Sequence, residues 1–307
     1  MADLILHHYP NSPFSEKVRV AFGIKQLDWK SVVIPNVMPK PDLMPLTGGY
    51  RKTPVLQVGA DVYCDTQLIM LELEKRAPHQ PLLPKGREGE ARALAMWIDR
   101  NIFGPSVGVA LSRVADMLPP AFFKDRSEFS GRSFEAASLK AAEPLAREQT
   151  YAQLALAEHI LADGRPFLLG SEPSLADCAL YNPVWFIKER AGGGKVLPPL
   201  DRLPRIAAWS ERMKAFGNGR PSDMSGQQAL DVAKAGKPEP TAVDAADPSG
   251  LKPGARVSVT PDDTGKVPVT GELVGLTADR VSLKRSDPRA GDVVVHFPRA
   301  GFVIRAL

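Results

Sequence analysis

The period of the apolar positions changes twice along the chain. The first stretch combines short apolar runs with a helical face. Leu4-Ile5-Leu6 is a run of the length a buried strand needs, and Phe14, Val18, Ala21 and Phe22 then recur at helical spacing. Ser12 stands where an N-cap belongs, and Pro13 fills the first helical position, where a missing N–H costs nothing. Residues 29–34 predict a strand, and residues 35–49, with four prolines and two glycines, a loop. Residues 55–58 and 61–63 flank Gly59-Ala60 and predict a hairpin. Asp65 caps a helix bearing Leu68, Ile69, Leu71 and Leu73, which ends before Pro78.

From Glu88 the pattern is that of long helices. Ala91, Leu94, Ala95, Ile98 and Ile102 form a helical stripe that Gly104-Pro105 is expected to break. Residues 121–134 carry aromatics and charges without periodicity, and residues 138–163 read as one helix. Ser174 and Asp177 stand three apart before an apolar helix over 174–190, the spacing of a capping box with Asp in place of Glu. Further helices are expected at 203–216 and 229–234.

The period changes again after a stretch rich in Pro, Ala, Asp and Gly, residues 236–250, which reads as a flexible linker. Val257/Val259, Val267/Val269, Val281/Leu283 and Val293/Val295/Phe297 then alternate with polar or small residues. Five short strands over 251–307 predict a small barrel of SH3-like type, marginal in stability by itself.

Composition narrows the function classes. The chain has 307 residues, enough for two or three domains, with 44% hydrophobic and 24% charged residues, as in ordinary globular proteins. Its net charge of +4 does not call for a nucleic-acid partner. No run approaches the ~18 apolar residues of a membrane span. Asp3 and the absence of a basic lead argue against a secretory signal, so a cytoplasmic location is expected. Two cysteines, Cys64 and Cys178, give no disulfide framework, and the five histidines form no ligand spacing with them, so no metal is expected.

Three short pieces carry the candidate chemistry. They are the segment Tyr9-Pro10-Asn11-Ser12-Pro13-Phe14-Ser15, the segment Lys52-Thr53-Pro54, and the pair Asp65-Thr66. In order and spacing they make residues 1–235 resemble the cytosolic glutathione transferases of the serine type. The resemblance implies an α/β thioredoxin-like domain over 1–78 and an all-α helical-bundle domain over 85–235. The pattern stops there, before the linker over 236–250 and the small all-β SH3-like barrel over 251–307. It implies a homodimer with glutathione as co-substrate, whose thiolate attacks an electrophilic small molecule. Ser12 matches the residue that donates to the thiolate. Thr53-Pro54 matches the cis-proline pair whose backbone binds the cysteinyl part, and Asp65-Thr66 the pair that holds the γ-glutamyl group. Phe14 and Lys52 complete the expected glutathione-binding set, Lys52 through the glycyl carboxylate. Each residue also has a plainer role: Ser12 and Asp65 as helix caps, Lys52 as an exposed lysine beside a strand. The alternative to catalysis is a protein that holds glutathione or a partner on this scaffold without turnover, with the barrel as adaptor.

Overall fold

A computed structural model describes residues 2–195 and 198–307. The first unit runs β1 (Ile5–His8), α1 (Pro13–Ile24), β2 (Asp28–Val33), α2 (Met44–Thr47), β3 (Val55–Val58), β4 (Asp61–Cys64) and α3 (Thr66–Arg76). The helical unit holds α4 (Glu88–Trp97), α5 (Phe103–Val114), α6 (Pro120–Ser130), α7 (Ala136–Ile160), α8 (Leu175–Trp185) and α9 (Pro204–Ala215). β5 (Arg220–Asp223) and α10 (Gly226–Ala235) follow. The C-terminal strands are β6 (Arg256–Pro261), β7 (Val269–Leu276), β8 (Arg280–Asp287), β9 (Gly291–Pro298) and β10 (Phe302–Ala306). The architecture is thus a thioredoxin-like unit, a helical unit and a small all-β unit, as the sequence pattern led us to expect.

Several local expectations need correction. Gly104-Pro105 does not break the helix, because α4 passes through a wide turn at Ile98–Ile102 into α5. Pro105 then lies in the first turn of α5, where its missing N–H is tolerated. The loop 35–49 contains α2, and the aperiodic stretch 121–134 contains most of α6, started by Pro120 and ended at Gly131 with a left-handed φ of 71°. The connection 236–250 is laid against the sheet. There Glu239 N donates to Asp61 Oδ2 at 2.8 Å, and Thr241 Oγ1 donates to Val274 O at 2.7 Å.

All strands form one sheet in the order β10-β6-β7-β8-β9-β4-β3-β1-β2-β5. The five C-terminal strands pair antiparallel, with β10 closing onto β6, and β9 joins β4 in parallel. Neighbouring residues of β1, β3 and β4 face opposite ways, as a strand demands. Leu6, Leu56 and Tyr63 join the core shared with α1, α3 and the helical unit. Ile5, Val55 and Val62 join a second core with Leu230 of α10 and with Val257, Leu273, Leu283, Val295 and Phe297 of the C-terminal strands. A unit too small to bury an adequate core alone therefore completes it on the far face of the thioredoxin-like sheet.

The helical unit is organised by Asp177, fully buried at the start of α8. Its Oδ2 accepts Ser174 N at 2.9 Å and Ser174 Oγ at 2.6 Å. Its Oδ1 accepts Leu168 N and Trp209 Nε1, both at 2.9 Å. Burial lifts the carboxyl above its ordinary value while these four donors pull it down. Each donor left unmet in the core costs about 1–3 kcal/mol, so Asp177→Ala is expected to lose several kcal/mol. Thermal unfolding followed by near-UV circular dichroism measures this, and an unchanged midpoint overturns it.

Buried histidines make stability depend on pH, His7 and His8 among them. His7 bonds Gln57 Oε1 at 2.9 Å, and burial holds it down to about 4. His8 accepts from Arg19 Nη1 at 3.0 Å, and burial, then Arg19, holds it down to about 3. Below the unfolded value of 6.5 the unfolded chain takes protons that the folded chain refuses. Stability should therefore fall from about pH 6.5 toward 4, by up to about 1.4 kcal/mol per unit per histidine. Urea midpoints between pH 7 and 5 check it, and a flat profile contradicts it.

Candidate functional site

α1 begins where β1 ends. Ser12 Oγ accepts Ser15 N at 3.1 Å and thereby caps α1, and only 2% of the residue is exposed. The first turn of α1 carries Phe14 to a cavity of about 90 Å³. All six residues expected to hold glutathione (Phe14, Lys52, Thr53, Pro54, Asp65 and Thr66) line this one cavity. Ser12 does not join the lining. The volume is well below the roughly 300–1,000 Å³ of ordinary small-molecule sites.

Each lining group has a local cause. The Thr53–Pro54 peptide is cis. Asp65 adopts φ 72° and ψ 139°, a left-handed φ that costs a residue with a side chain about 1–3 kcal/mol. In that conformation its carboxylate accepts Gln67 N at 2.9 Å and caps α3. Thr66 Oγ1 accepts Lys17 Nζ at 3.1 Å, which leaves the hydroxyl proton to be donated to a ligand. Lys17 is itself buried and paired with Asp99 at 2.6 Å. Burial raises the Asp99 carboxyl, and Lys17 opposes that rise. The wide turn at Ile98–Ile102 brings both Asp99 and Arg100 to the cavity wall.

The sequence reading missed a second cluster behind Thr53. Lys40 Nζ donates to Thr53 Oγ1 and to Arg51 O, both at 2.9 Å, and stands 5.8 Å from the centre of the Tyr9 ring. Burial, then Arg126 and Arg51, push Lys40 down to about 7. The Tyr9 phenol faces Ser12 and Arg126, and burial holds it above its ordinary value. Pro39 and Pro41 around Lys40 pointed only to a loop, and nothing local tied that loop to Thr53. His8 packs beside Trp29, with Nε2 3.0 Å from Ser31 Oγ. Phe103 lies obliquely on Phe14 at 4.3 Å, while Phe122 and Phe123 pack against Phe134.

The remaining wall was also unforeseen. Asp263, Gly301 and Phe302 of the C-terminal unit line the cavity, and Asp263 pairs with Lys52. Both cysteines are free and buried, which raises their thiols. Among the described residues there is no cluster of three or more His, Cys, Asp or Glu arranged for a metal. No helix among them is long and apolar enough to cross a membrane.

Comparison with known proteins adds to this geometry. Residues 6–81 match the glutathione S-transferase N-terminal domain, and residues 95–212 match the glutathione S-transferase C-terminal domain. A GST-like protein from Pseudomonas syringae is 36% identical, with 100% of each chain covered and a TM-score of 0.75. That match takes in the C-terminal strands. FzlA from C. crescentus is 25% identical over 69% of this chain and 88% of its own, with a TM-score of 0.52. By sequence, FtsZ-localized protein A of Caulobacter vibrioides is 29% identical over 101 residues, 31% of this chain. The matched part spans 44% of that curated relative. A glutathione S-transferase of Ceriporiopsis subvermispora in complex with glutathione shares the fold at 18% identity, covering 70% of this chain and 97% of that one, TM-score 0.57.

Proposed function

The chain belongs to the glutathione S-transferase family, and from that premise we propose that it binds a glutathione-type thiol in the cavity beside α1 and transfers the thiolate to an electrophilic small molecule. The observation that carries the reading is the convergence of Phe14, Lys52, Thr53, Pro54, Asp65 and Thr66 on one cavity. An ordinary thiol, with a pKa of about 8.5, is only a few per cent ionised at neutral pH. The N-terminus of α1 offers partial positive charge and the N–H of Phe14 to a thiolate. In this reading Ser12 adds a hydroxyl donor, since accepting Ser15 N leaves its own proton to be donated.

A second reading, binding without turnover, has its own support. Ser12 is 2% exposed and engaged as a cap, and the cavity is small. A relative is named for its localisation with FtsZ, which favours protein partners. We retain the homodimer and the cytoplasmic location as parts of the proposal. Because β9 covers the β4 edge, a second copy would associate through other surfaces.

The test joins turnover to titration. With glutathione and an aryl halide, Ser12→Ala is expected to raise the bound thiol's pKa by about one unit and lower turnover about tenfold. Loss of the cap should also cost about 1 kcal/mol of stability. Thiolate absorbance across pH and initial rates read the two effects separately. Binding of the thiol without turnover on a broad panel of electrophiles would favour the second reading. Turnover and thiol pKa both unchanged in Ser12→Ala would leave Ser12 as a cap alone.

A further inference from the structure

The charges around the cavity are already matched in pairs. Lys17 pairs with Asp99 at 2.6 Å, and Arg100 with Asp262 at 2.9 Å. Lys52 pairs with Asp263. Among the described residues the Asp65 carboxylate has no ion-pair partner, and it accepts only the N–H of Gln67. The cavity therefore presents one uncompensated carboxylate and no uncompensated cation. Asp263 is firmly held there. Asp262 N donates to Gly301 O at 3.0 Å, and Gly265 N donates to Phe129 O at 2.9 Å. A Cβ on Gly265 would stand 2.4 Å from the Phe129 ring, so this turn is pressed onto α6.

Glutathione carries an ammonium group, a γ-glutamyl α-carboxylate and a glycyl carboxylate beside its thiol. Asp65 suits the ammonium. The glycyl carboxylate is expected at Lys52, and there it would lie against Asp263, charge against like charge in a narrow cavity. A neutral end would leave the Lys52–Asp263 pair intact: an ester or amide carbonyl accepts from Lys52, and an amide N–H can also donate to Asp263.

Given the thiol-binding reading above, on which this rests, we propose that Asp263 sets the ligand class: γ-glutamyl-cysteinyl thiols whose third residue ends in an uncharged group, an amide or ester, in preference to free glutathione. Asp263 acts from the C-terminal unit, so that unit is a wall of the site and a determinant of its specificity. Only exchange of the ligand is involved, and no bond is made or broken by Asp263.

Calorimetric titration of the full chain with glutathione and with its glycyl ethyl ester tests this. The native protein is expected to bind the ester about tenfold more tightly than glutathione. Asp263→Asn should tighten glutathione about tenfold while changing the ester less than about threefold. Asp279→Asn, which removes a carboxylate of the same unit that pairs with Arg92 away from the cavity lining, should leave the preference in place. If the native protein prefers glutathione, or Asp263→Asn leaves the ratio unchanged, the selection by Asp263 is wrong while the site assignment survives. If neither thiol binds either protein, the site assignment falls, and the selection falls with it.

Discussion

The pairing of β9 with β4 holds the architecture together, because it joins two units that would each be incomplete alone. Without it, β4 would present unpaired N–H and C=O groups at a sheet edge, and the C-terminal strands would share no core. Across the joint, Asp61 pairs in register with Val294, Val62 with Val295 and Tyr63 with His296. The His296 ring stacks on Tyr63 at 4.5 Å, and burial holds the imidazole below its ordinary value, so it is neutral. The Asp61 carboxylate only accepts, and that fixes the hydrogen-bond directions of the neutral ring. Ser282 donates to Nδ1 at 2.8 Å, and Nε2–H donates to Asp61 Oδ1 at 2.8 Å. Asp61 then uses its other oxygen to accept Glu239 N at 2.8 Å, which ties down the connection between the units. Serine, histidine and aspartate in this order are also the parts of a nucleophilic triad. Here no more than 1% of any of the three is exposed, so they serve the joint.

Charge reinforces the same docking. Glu72 on α3 is fully buried and meets Arg76 at 2.7 Å and Arg280 of β8 at 3.1 Å. The Arg280 guanidinium also lies 5.6 Å from the Tyr63 ring centre. A carboxylate buried so deeply is tolerated only with close partners, and one of them comes from the C-terminal unit. Arg289 with Asp42 and Arg92 with Asp279 add exposed pairs that orient more than they stabilise.

Legibility in the sequence followed the range of the interaction. Ser12-Pro13, Asp65 and the Ser174…Asp177 spacing were readable because each cap acts within three residues. The alternation of Val257/Val259 or Val293/Val295 announced strands, and all four valines enter the second core. β5 was invisible: all four of its residues are exposed, and it is a strand only because β2 lies beside it. The Pro- and Gly-rich composition of 236–250 suggested a loose connection, yet distant partners for Glu239 and Thr241 decide its course. The pairing of Lys52 with Asp263 spans 211 residues, and neither residue alone signals it. The candidate site was thus readable where it is built from the first unit, and unreadable where the last unit closes it.

This closure bears on what an appended unit can be. An adaptor tethered by a flexible linker would keep its own core and leave the scaffold's site open. Here Val257, Leu273 and Phe297 share a core with Ile5 and Val55, so separating the units would expose both sides of that core. Asp263 and Phe302 project from the strand ends that this docking presents to the cavity. Tyr50 connects the two roles: it lies 5.7 Å from Phe297 within the shared core and 6.3 Å from Phe302, and with Phe302 it lines the cavity. A change in docking would therefore be felt in the cavity through a contiguous set of aromatic contacts. Any surface the C-terminal strands offer to a partner must lie on their outward face, since the inward one is committed to the fold and the site.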